Sequence, residues 1–412
     1  MIFKQTYNKL KILRKNVYAE KIYEISFHEF FYAILNKKIN VNKNYNKFFS
    51  FIANLSLFFL SYLTIYKAKI FGIKKINYFI VADSNNIDIR SKNILNLLDD
   101  NQYINIVRTK NFKTSLKTYF KFKNIIFFNS LFIFYKFKKK DNSKYNILEN
   151  IHSKNFYKYL ILRKLFSNLG VYKFLMIDDY REMQIFIKIC NELRIKSIGY
   201  QHSRFNKFLL PLKYECFDKY IVWTDFFKKK LLLFNKNYKN KILINNFRNF
   251  SLVQNYKSKN NLIYFVDDYL DEKIIVKYLD KLNKLKNFKL FVKLKFNSEI
   301  PDNFIKYLKI KNYTILPNIS INQIIKTIKP AGFLAAHSNI LMESTLFNIA
   351  PILLKTKTDY SYDLIDEKLV FHLNLKDNFD KKIKKFVHNK KKISIIRNKI
   401  WTFKNERINH LF

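Results

Sequence analysis

From about residue 74 the chain alternates short runs that are apolar throughout with longer stretches whose apolar positions recur every three to four residues. The runs "INYFIVAD" (76–83), "YINIVRT" (103–109), "NIIFFNS" (124–130), "KFLMIDD" (173–179), "KSIGYQH" (196–202), "KYIVWTD" (219–225) and "KILINNF" (241–247) predict strands rich in aromatic and β-branched residues. Between them "SKNILNLLDD", a long stretch over about 142–168, "YREMQIFIKICNEL" (180–193) and "FFKKKLLLF" predict helices, the first with Ser91 as N-cap. Polar "SLVQNYKSKN" (251–260) reads as a linker, and the alternation then restarts. Strands are predicted at 261–268, 288–296, 313–317, 332–338 and 350–355, with helices between them, one opened by Pro301 and another ended by Pro330.

Strands alternating with helices imply βαβ units and parallel sheets, and strands apolar on both faces imply sheets covered on both sides. The expected fold class is therefore α/β, with two Rossmann-like doubly wound parallel-sheet domains facing across a cleft. The expected division is a helical N-terminal extension over 1–70, a first domain over 71–250, a second over 251–385 and a C-terminal helix over 386–412. In such sheets ligands gather beyond the carboxyl ends of the strands, so chemistry is sought there.

Composition changes this picture only in part. The net charge of +46 suggests a polyanionic partner, but only ten of the 77 basic residues are Arg, the residue suited to bidentate phosphate and base readout. Lys, Asn, Ile, Phe and Tyr are inflated together, as in a drift towards AT-rich codons, so no specific nucleic-acid partner is expected. Cys190 and Cys216 read as core thiols of a reducing compartment. The N-terminus lacks a continuous apolar signal region, and a cytoplasmic location is expected. "FFSFIANLSLFFLSYLTIY" (48–66) is apolar with basic flanks; it reads as a buried or interfacial helix, with a membrane span or a dipping hairpin as alternatives. With the basic surface it suggests peripheral attachment to an anionic membrane, on the inner face of the plasma membrane.

Three strand ends carry candidate chemistry. Asp178 and Asp179 end one strand where a helix begins; they serve either as helix caps or as cleft-facing carboxylates, a base or an acceptor ligand. Gln201 and His202 end the next strand, where Gly199 allows close backbone approach or close packing. His202 is either a satisfied structural residue or an imidazole able to take a proton from an attacking hydroxyl. In "AGFLAAHSNILMESTLFNIAPILL" (331–354) a strand runs through His337, Ser338 and Asn339 into a helix. A helix start offers free N–H groups to an anion, Ser338 and Asn339 can cap it or touch a phosphate, and Glu343 could reach a ribose or stay on the surface. With four glycines in the chain there is no Walker loop and no GxGxxG, and neither CxxC, HExxH nor GxSxG occurs, so a metal site is not expected.

The stretch "LMIDDYREMQIFIKICNELRIKSIGYQHSRF…LPLKYECFDKYIVWTDFFKKKLL", with "HSNILMESTLFNIAPILL", resembles bacterial surface-polysaccharide glycosyltransferases of the GT-B fold, over roughly residues 74–356. In that family a strand ends in Gln-His-Gly, D-x-x-x-x-W follows, and a Ser-rich turn leads to a helix with a Glu and then Gly-x-Pro. Here Ser203 stands after Gln-His, Ala350 precedes Pro351, and Lys295-Phe296 stands where related enzymes carry His-Pro. The resemblance implies transfer of a sugar, or a sugar-like or polyol-phosphate unit, from a nucleotide-activated donor to a surface glycan or its lipid-linked precursor, without metal or other cofactor. It implies His202 on the acceptor side, and His337, Ser338, Glu343, Ser344 and Thr345 around the nucleotide, with Lys295 able to meet a phosphate. Asp179 is the other candidate base, with Gln201 and Asp178 beside the acceptor. A nucleotide-sugar epimerase on the same fold and a non-enzymatic polyanion-binding protein are the competing readings.

Overall fold

The computed structural model describes residues 2–17, 26, 29, 31, 47–81, 93–99, 101–109, 112–132, 144–177, 182–206, 208, 211–214, 216–250, 257–267, 271–294 and 300–412. The chain divides into two compact units, one of Asn8–Arg248 with Phe403–Phe412, the other of Met1–Tyr7 with Asn249–Thr402. Each is built on its own parallel sheet.

The first sheet is formed by β1 (Lys75–Val81), β2 (Tyr103–Thr109), β3 (Ile125–Phe127), β4 (Lys173–Ile177), β5 (Lys196–Tyr200), β6 (Lys219–Val222) and β7 (Ile242–Ile244), in the order β3-β2-β1-β4-β5-β6-β7. The second contains β8 (Asn261–Phe265), β9 (Lys289–Lys293), β10 (Thr314–Leu316), β11 (Gly332–Ala335), β12 (Ala350–Leu354) and β13 (Phe371–Leu373), in the order β10-β9-β8-β11-β12-β13. Both orders are doubly wound: the chain moves outward from the first strand, returns, and continues on its other side. The reversal falls between β1 and β4 in one sheet and between β8 and β11 in the other.

The longer helices are α1 (Ile2–Val17), α2 (Lys47–Ile70), α3 (Phe112–Lys121), α4 (Lys144–Asn168), α5 (Met183–Leu193), α6 (Asp225–Phe234), α7 (Glu272–Asn283), α8 (Asp302–Ile310), α9 (Ile321–Ile328), α10 (Phe379–His388) and α11 (Lys390–Ile400). Local chemistry sets their ends. Ser320 and Gln323 form a reciprocal capping box at the start of α9. The same helix ends with Lys329 in the left-handed conformation just before Pro330, which has no N–H with which to continue it.

The strands are buried on both faces, as their unbroken apolar runs require: Ile76, Asn77, Tyr78 and Phe79 of β1 are all inaccessible to solvent. In the second unit, side chains of β8, β11 and β12 pack with Tyr278 and Leu279 of α7 and with Ile383 of α10 in one core. Two terminal segments join the unit less obvious from their sequence position. Residues 2–7 of α1 belong with β8–β13, where the Ile2 N–H donates to the Lys357 carbonyl and the Lys4 N–H to Asp359. Residues 403–412 return to β1–β7, where the Glu406 N–H donates to the carbonyl of Ile244 at the end of β7.

Helix α2 corresponds to the apolar segment 48–66. By length and composition alone it could cross a membrane. In the structure one side of it lies on the sheet: Leu57 packs with Phe79, Val107, Ile125 and Phe127. Ser61 Oγ accepts the Phe127 N–H at 2.9 Å, satisfying a donor on edge strand β3.

Candidate functional site at the carboxyl ends of the two sheets

In the β1–β7 unit the strand β5 stops at Tyr200, two residues short of the expected end, and Gln201 and His202 follow it. Gln201 is inaccessible, and its side chain is committed to the backbone. Its Oε1 accepts the Trp223 N–H at 2.9 Å and its Nε2 donates to the Ser203 carbonyl at 2.8 Å. The Gln201 N–H donates to Ile221, carrying the β5–β6 ladder one residue further. At the other end of the same strand pair, Asp218 accepts both the N–H and the hydroxyl of Ser197, at 2.7 and 2.9 Å. Gln201 with Trp223, and Asp218 with Ser197, therefore clamp β5 to β6 at both ends. This gives the D-x-x-x-x-W spacing a structural role of its own.

Gly199 packs against a neighbouring element: a Cβ there would lie 2.4 Å from Phe217 Cδ2 and 2.7 Å from Tyr220 Cδ2. The two rings occupy the room a side chain would need. His202 is buried at 7% exposure, with Arg204 and Asn206 buried at alternate positions after it. Asp178 and Asp179 lie outside the described residues.

Sequence reasoning missed an ionic cluster in this unit. Glu182, immediately before α5, does not cap that helix with its side chain. Its carboxylate instead accepts from Arg108 at 3.1 and 3.2 Å and from Lys158 of α4 at 3.2 Å. Glu182 is 3% exposed, Lys158 10% and Arg108, near the carboxyl end of β2, 35%. Burial by itself would raise the Glu182 carboxyl, but Lys158 and Arg108 outweigh it and hold the group below its ordinary range. Tyr78 on β1 is shifted well upward, first by burial and then by Glu182. The signal available in the sequence was weak: these residues are 50 and 24 positions apart along the chain (108, 158, 182), and only the βαβ topology brings them together.

In the β8–β13 unit the reversal point between β8 and β11 is bridged by a carboxylate. Asp267, two residues beyond β8, is buried at 4% and accepts the backbone N–H groups of Ala336 at 2.6 Å and His337 at 3.2 Å. The same oxygen that bonds the His337 N–H lies 3.6 Å from His337 Nδ1. The edge of the His337 ring meets Tyr360, with centroids 5.9 Å apart. His337 is thus fixed at its backbone and placed on the loop that follows β11, next to the loop that follows β12. Asp267 was absent from the candidates because "VDD" read as the tail of a strand.

The helix expected over "NILMESTLFN" forms only as one α turn, Ile340–Glu343, followed by a 3₁₀ turn, Ser344–Phe347. This corrects the expectation of an extended helix mouth, since a single turn aligns few peptide dipoles. Its donors are engaged locally: the Ile340 N–H with Ser338 Oγ at 3.4 Å, and those of Leu341, Met342 and Glu343 with the carbonyls of Ser338 and Asn339. Ser344 and Thr345 are fully buried. Their hydroxyls donate to Leu341 and Met342, and Thr345 Oγ1 accepts Trp401 Nε1–H at 3.0 Å. Ser338, Asn339 and Glu343 keep partial exposure. Lys295 lies outside the described residues. Lys293, the last residue of β9, is buried, and its ammonium donates to the Pro317 carbonyl at 2.9 Å. Among the described residues no group of three His, Cys, Asp or Glu side chains is placed to hold a metal ion.

Two doubly wound parallel sheets of seven and six strands define a GT-B-type, Rossmann-like two-domain fold. No protein-family model matches the sequence, and no curated protein sequence matches it significantly. Among solved structures the chain is similar to S. aureus MnaA in its UDP co-structure, with 14% identity over 80% of this chain and 93% of that one, at a TM-score of 0.51. It is similar to a putative UDP-N-acetylglucosamine 2-epimerase from Listeria monocytogenes (11% identity, 82% and 93% covered, TM-score 0.50). It is likewise similar to a UGT transferase from Siraitia grosvenorii in complex with UDP (8% identity, 79% and 94% covered, TM-score 0.50). At these identities the likeness is one of fold.

Proposed function

We propose that this protein is a nucleotide-sugar enzyme, and specifically a glycosyltransferase that moves a sugar or sugar-like unit from a nucleotide-activated donor to a glycan or lipid-linked hydroxyl. The observation that carries the reading is the reversal point of the second sheet. There a buried Asp267 holds the backbone of His337 at the position where doubly wound sheets receive nucleotides. In this reading the β8–β13 unit binds the nucleotide, with His337, Ser338, Asn339 and Glu343 as the residues nearest it and Lys295 as a phosphate partner. Ser344 and Thr345 then act through the packing of their turn rather than by contact with the ligand.

The acceptor belongs to the β1–β7 unit, where His202 or Asp179 takes the proton from the attacking hydroxyl as the sugar–phosphate bond breaks and the nucleotide leaves with the bonding electrons. Gln201 positions the loop that carries His202, and Asp178 lies on the acceptor side. His202→Ala is expected to lower turnover about 10²–10⁴-fold, the scale of a general base, measured at a temperature where its melting transition shows the variant to be folded. Turnover at the level of the unaltered protein would remove His202 from the chemistry.

A second reading, a nucleotide-sugar epimerase, has equal support from the fold: one of the similar structures named above is a putative UDP-N-acetylglucosamine 2-epimerase. Incubation with UDP-sugar donor alone separates the two. An epimerase interconverts the donor, whereas a transferase leaves the sugar configuration intact until an acceptor is added. The first binding measurement is a thermal-shift comparison of UDP with GDP, CDP and CMP. A nucleotide at about 100 times its dissociation constant stabilises by about 2.7 kcal/mol. No shift with any of the four would end both readings.

A further inference from the structure

Helix α2 carries its aromatic rings outward. The side it turns to the sheet holds Ser61, inaccessible, Ala68 at 1%, Thr64 at 5% and Leu57 at 6%. The side it turns to solvent is large and apolar: Phe59, Tyr62 and Tyr66 are each 59% exposed, Leu63 51%, Ile70 62% and Phe71, just past its end, 74%. These positions recur every three to four residues and so form one stripe along the helix. An amphipathic helix that faces water has the opposite distribution. Beside it, α3 shares the core under α2 through Tyr119, and its neighbour Phe120 is 84% exposed. Helix α3 thus adds one exposed ring among lysines to the apolar stripe of α2.

Charge identifies the occupant. Neither 47–75 nor 112–124 contains an Asp or a Glu. Lys67 and Lys69 fall at helical spacing on either flank of the α2 stripe, and Lys74, Lys113, Lys117 and Lys121 are also exposed. Two copies of this surface would bring like charges together, which disfavours self-association through it. A surface of anionic lipid headgroups over acyl chains matches both features, the apolar stripe and the lysine rim.

We propose that α2 and α3 seat the protein on an anionic bilayer. Helix α2 lies flat at the headgroup boundary and does not cross the membrane, because its other side is packed on the sheet through Leu57 and Ser61. This holds whether the enzyme is a transferase or an epimerase. For a transferase it adds a route to a lipid-linked acceptor.

The test is co-sedimentation of the full chain with vesicles of phosphatidylglycerol and phosphatidylcholine, against vesicles of phosphatidylcholine alone. Binding is expected to the anionic vesicles, weakening with salt and falling about fivefold for each rim lysine changed to Gln. The double change Phe59→Ser, Phe120→Ser should cost about tenfold or more per ring. Both rings are exposed, so the melting transition is expected to stay in place; should it drop, the lysine variants carry the test by themselves. The proposal is overturned by indifference to anionic vesicles, or by vesicle binding that neither set of changes weakens. It is also overturned by a dimer in light scattering that the ring changes dissociate.

Discussion

The two sheets share one strand order yet hold their carboxyl ends in different ways. In the β8–β13 unit the anchor is a single carboxylate, Asp267, bonded to main-chain donors of the loop that follows β11. In the β1–β7 unit Gln201 also bonds main chain at the end of β5, but a second anchor is ionic, with the Glu182 carboxylate between Arg108 and Lys158. A carboxylate on backbone N–H groups fixes the path of a loop and asks little of the surrounding sequence. A buried carboxylate between two cations fixes the relative positions of three elements, β2, α4 and the start of α5, and fails if any partner is lost. The β8–β13 carboxyl end thus tolerates change in the side chains around it, whereas the Glu182 cluster does not.

The sharpest way to break this comparison is at Glu182. Glu182→Ala leaves the Lys158 ammonium buried without its counter-charge, and unfolding free energy should fall by about 3–5 kcal/mol in denaturant titration. The pH dependence has a definite sign. The folded carboxyl is held below its ordinary value, so its contribution is complete above the unfolded carboxylate value of about 4.3 and fades as pH falls through the folded one. The Glu182→Gln protein should lose that part of the acid sensitivity. An unchanged midpoint in both variants would mean that the cluster does not hold the unit together.

Why this cluster was illegible while the fold was not has a physical answer. Apolar runs covered on both faces are a one-dimensional signal, and βαβ alternation followed from them directly: the strand runs at 103–109 and 196–202 contain β2 and β5. The division into two doubly wound sheets was legible for the same reason. β8, β9 and β11 end at Phe265, Lys293 and Ala335, short of the expected strand ends at 268, 296 and 338. Asp267 bonds N–H groups of Ala336 and His337 in the loop after β11. The length of the helix after Ser338 was missed because "NILMESTLFN" keeps its apolar spacing while Ser344 and Thr345 turn their hydroxyls onto backbone carbonyls and tighten the turn. The donor pattern around Gln201 and Trp223 was visible as a motif, but its structural role emerges only from the two hydrogen bonds it makes.

A smaller effect sharpens the comparison from the other unit. Asp267→Ala leaves two buried N–H groups without their acceptor and should cost about 1–3 kcal/mol, less than the loss at Glu182. Asp267→Asn keeps one carbonyl oxygen and should recover part of this. The change should also abolish any nucleotide-induced thermal shift, whereas Glu182→Gln should preserve it. If both variants lose the shift equally, the assignment of nucleotide binding to the backbone-anchored end is wrong.

The finest test lies in the glycines of the two sheets. Gly199 in β5 and Gly332 in β11 are both tightly enclosed, but by different material. A Cβ on Gly199 would meet aromatic ring carbons at 2.4–2.7 Å, and rings yield only by rotating or moving as a whole. A Cβ on Gly332 would meet the methyl ends of Leu262 at 3.0 Å and Ile352 at 3.1 Å, which can shift by changing rotamer. Gly199→Ala should therefore cost about 1–3 kcal/mol, and Gly332→Ala less than about 1 kcal/mol. Adding Phe217→Leu to Gly199→Ala should return part of the loss, because it removes the nearer of the two rings that the new methyl meets. Equal costs at the two glycines, with no rescue, would show that Gly199 answers to something other than the rings packed over it, and would reopen the case for a ligand approaching the backbone beside His202.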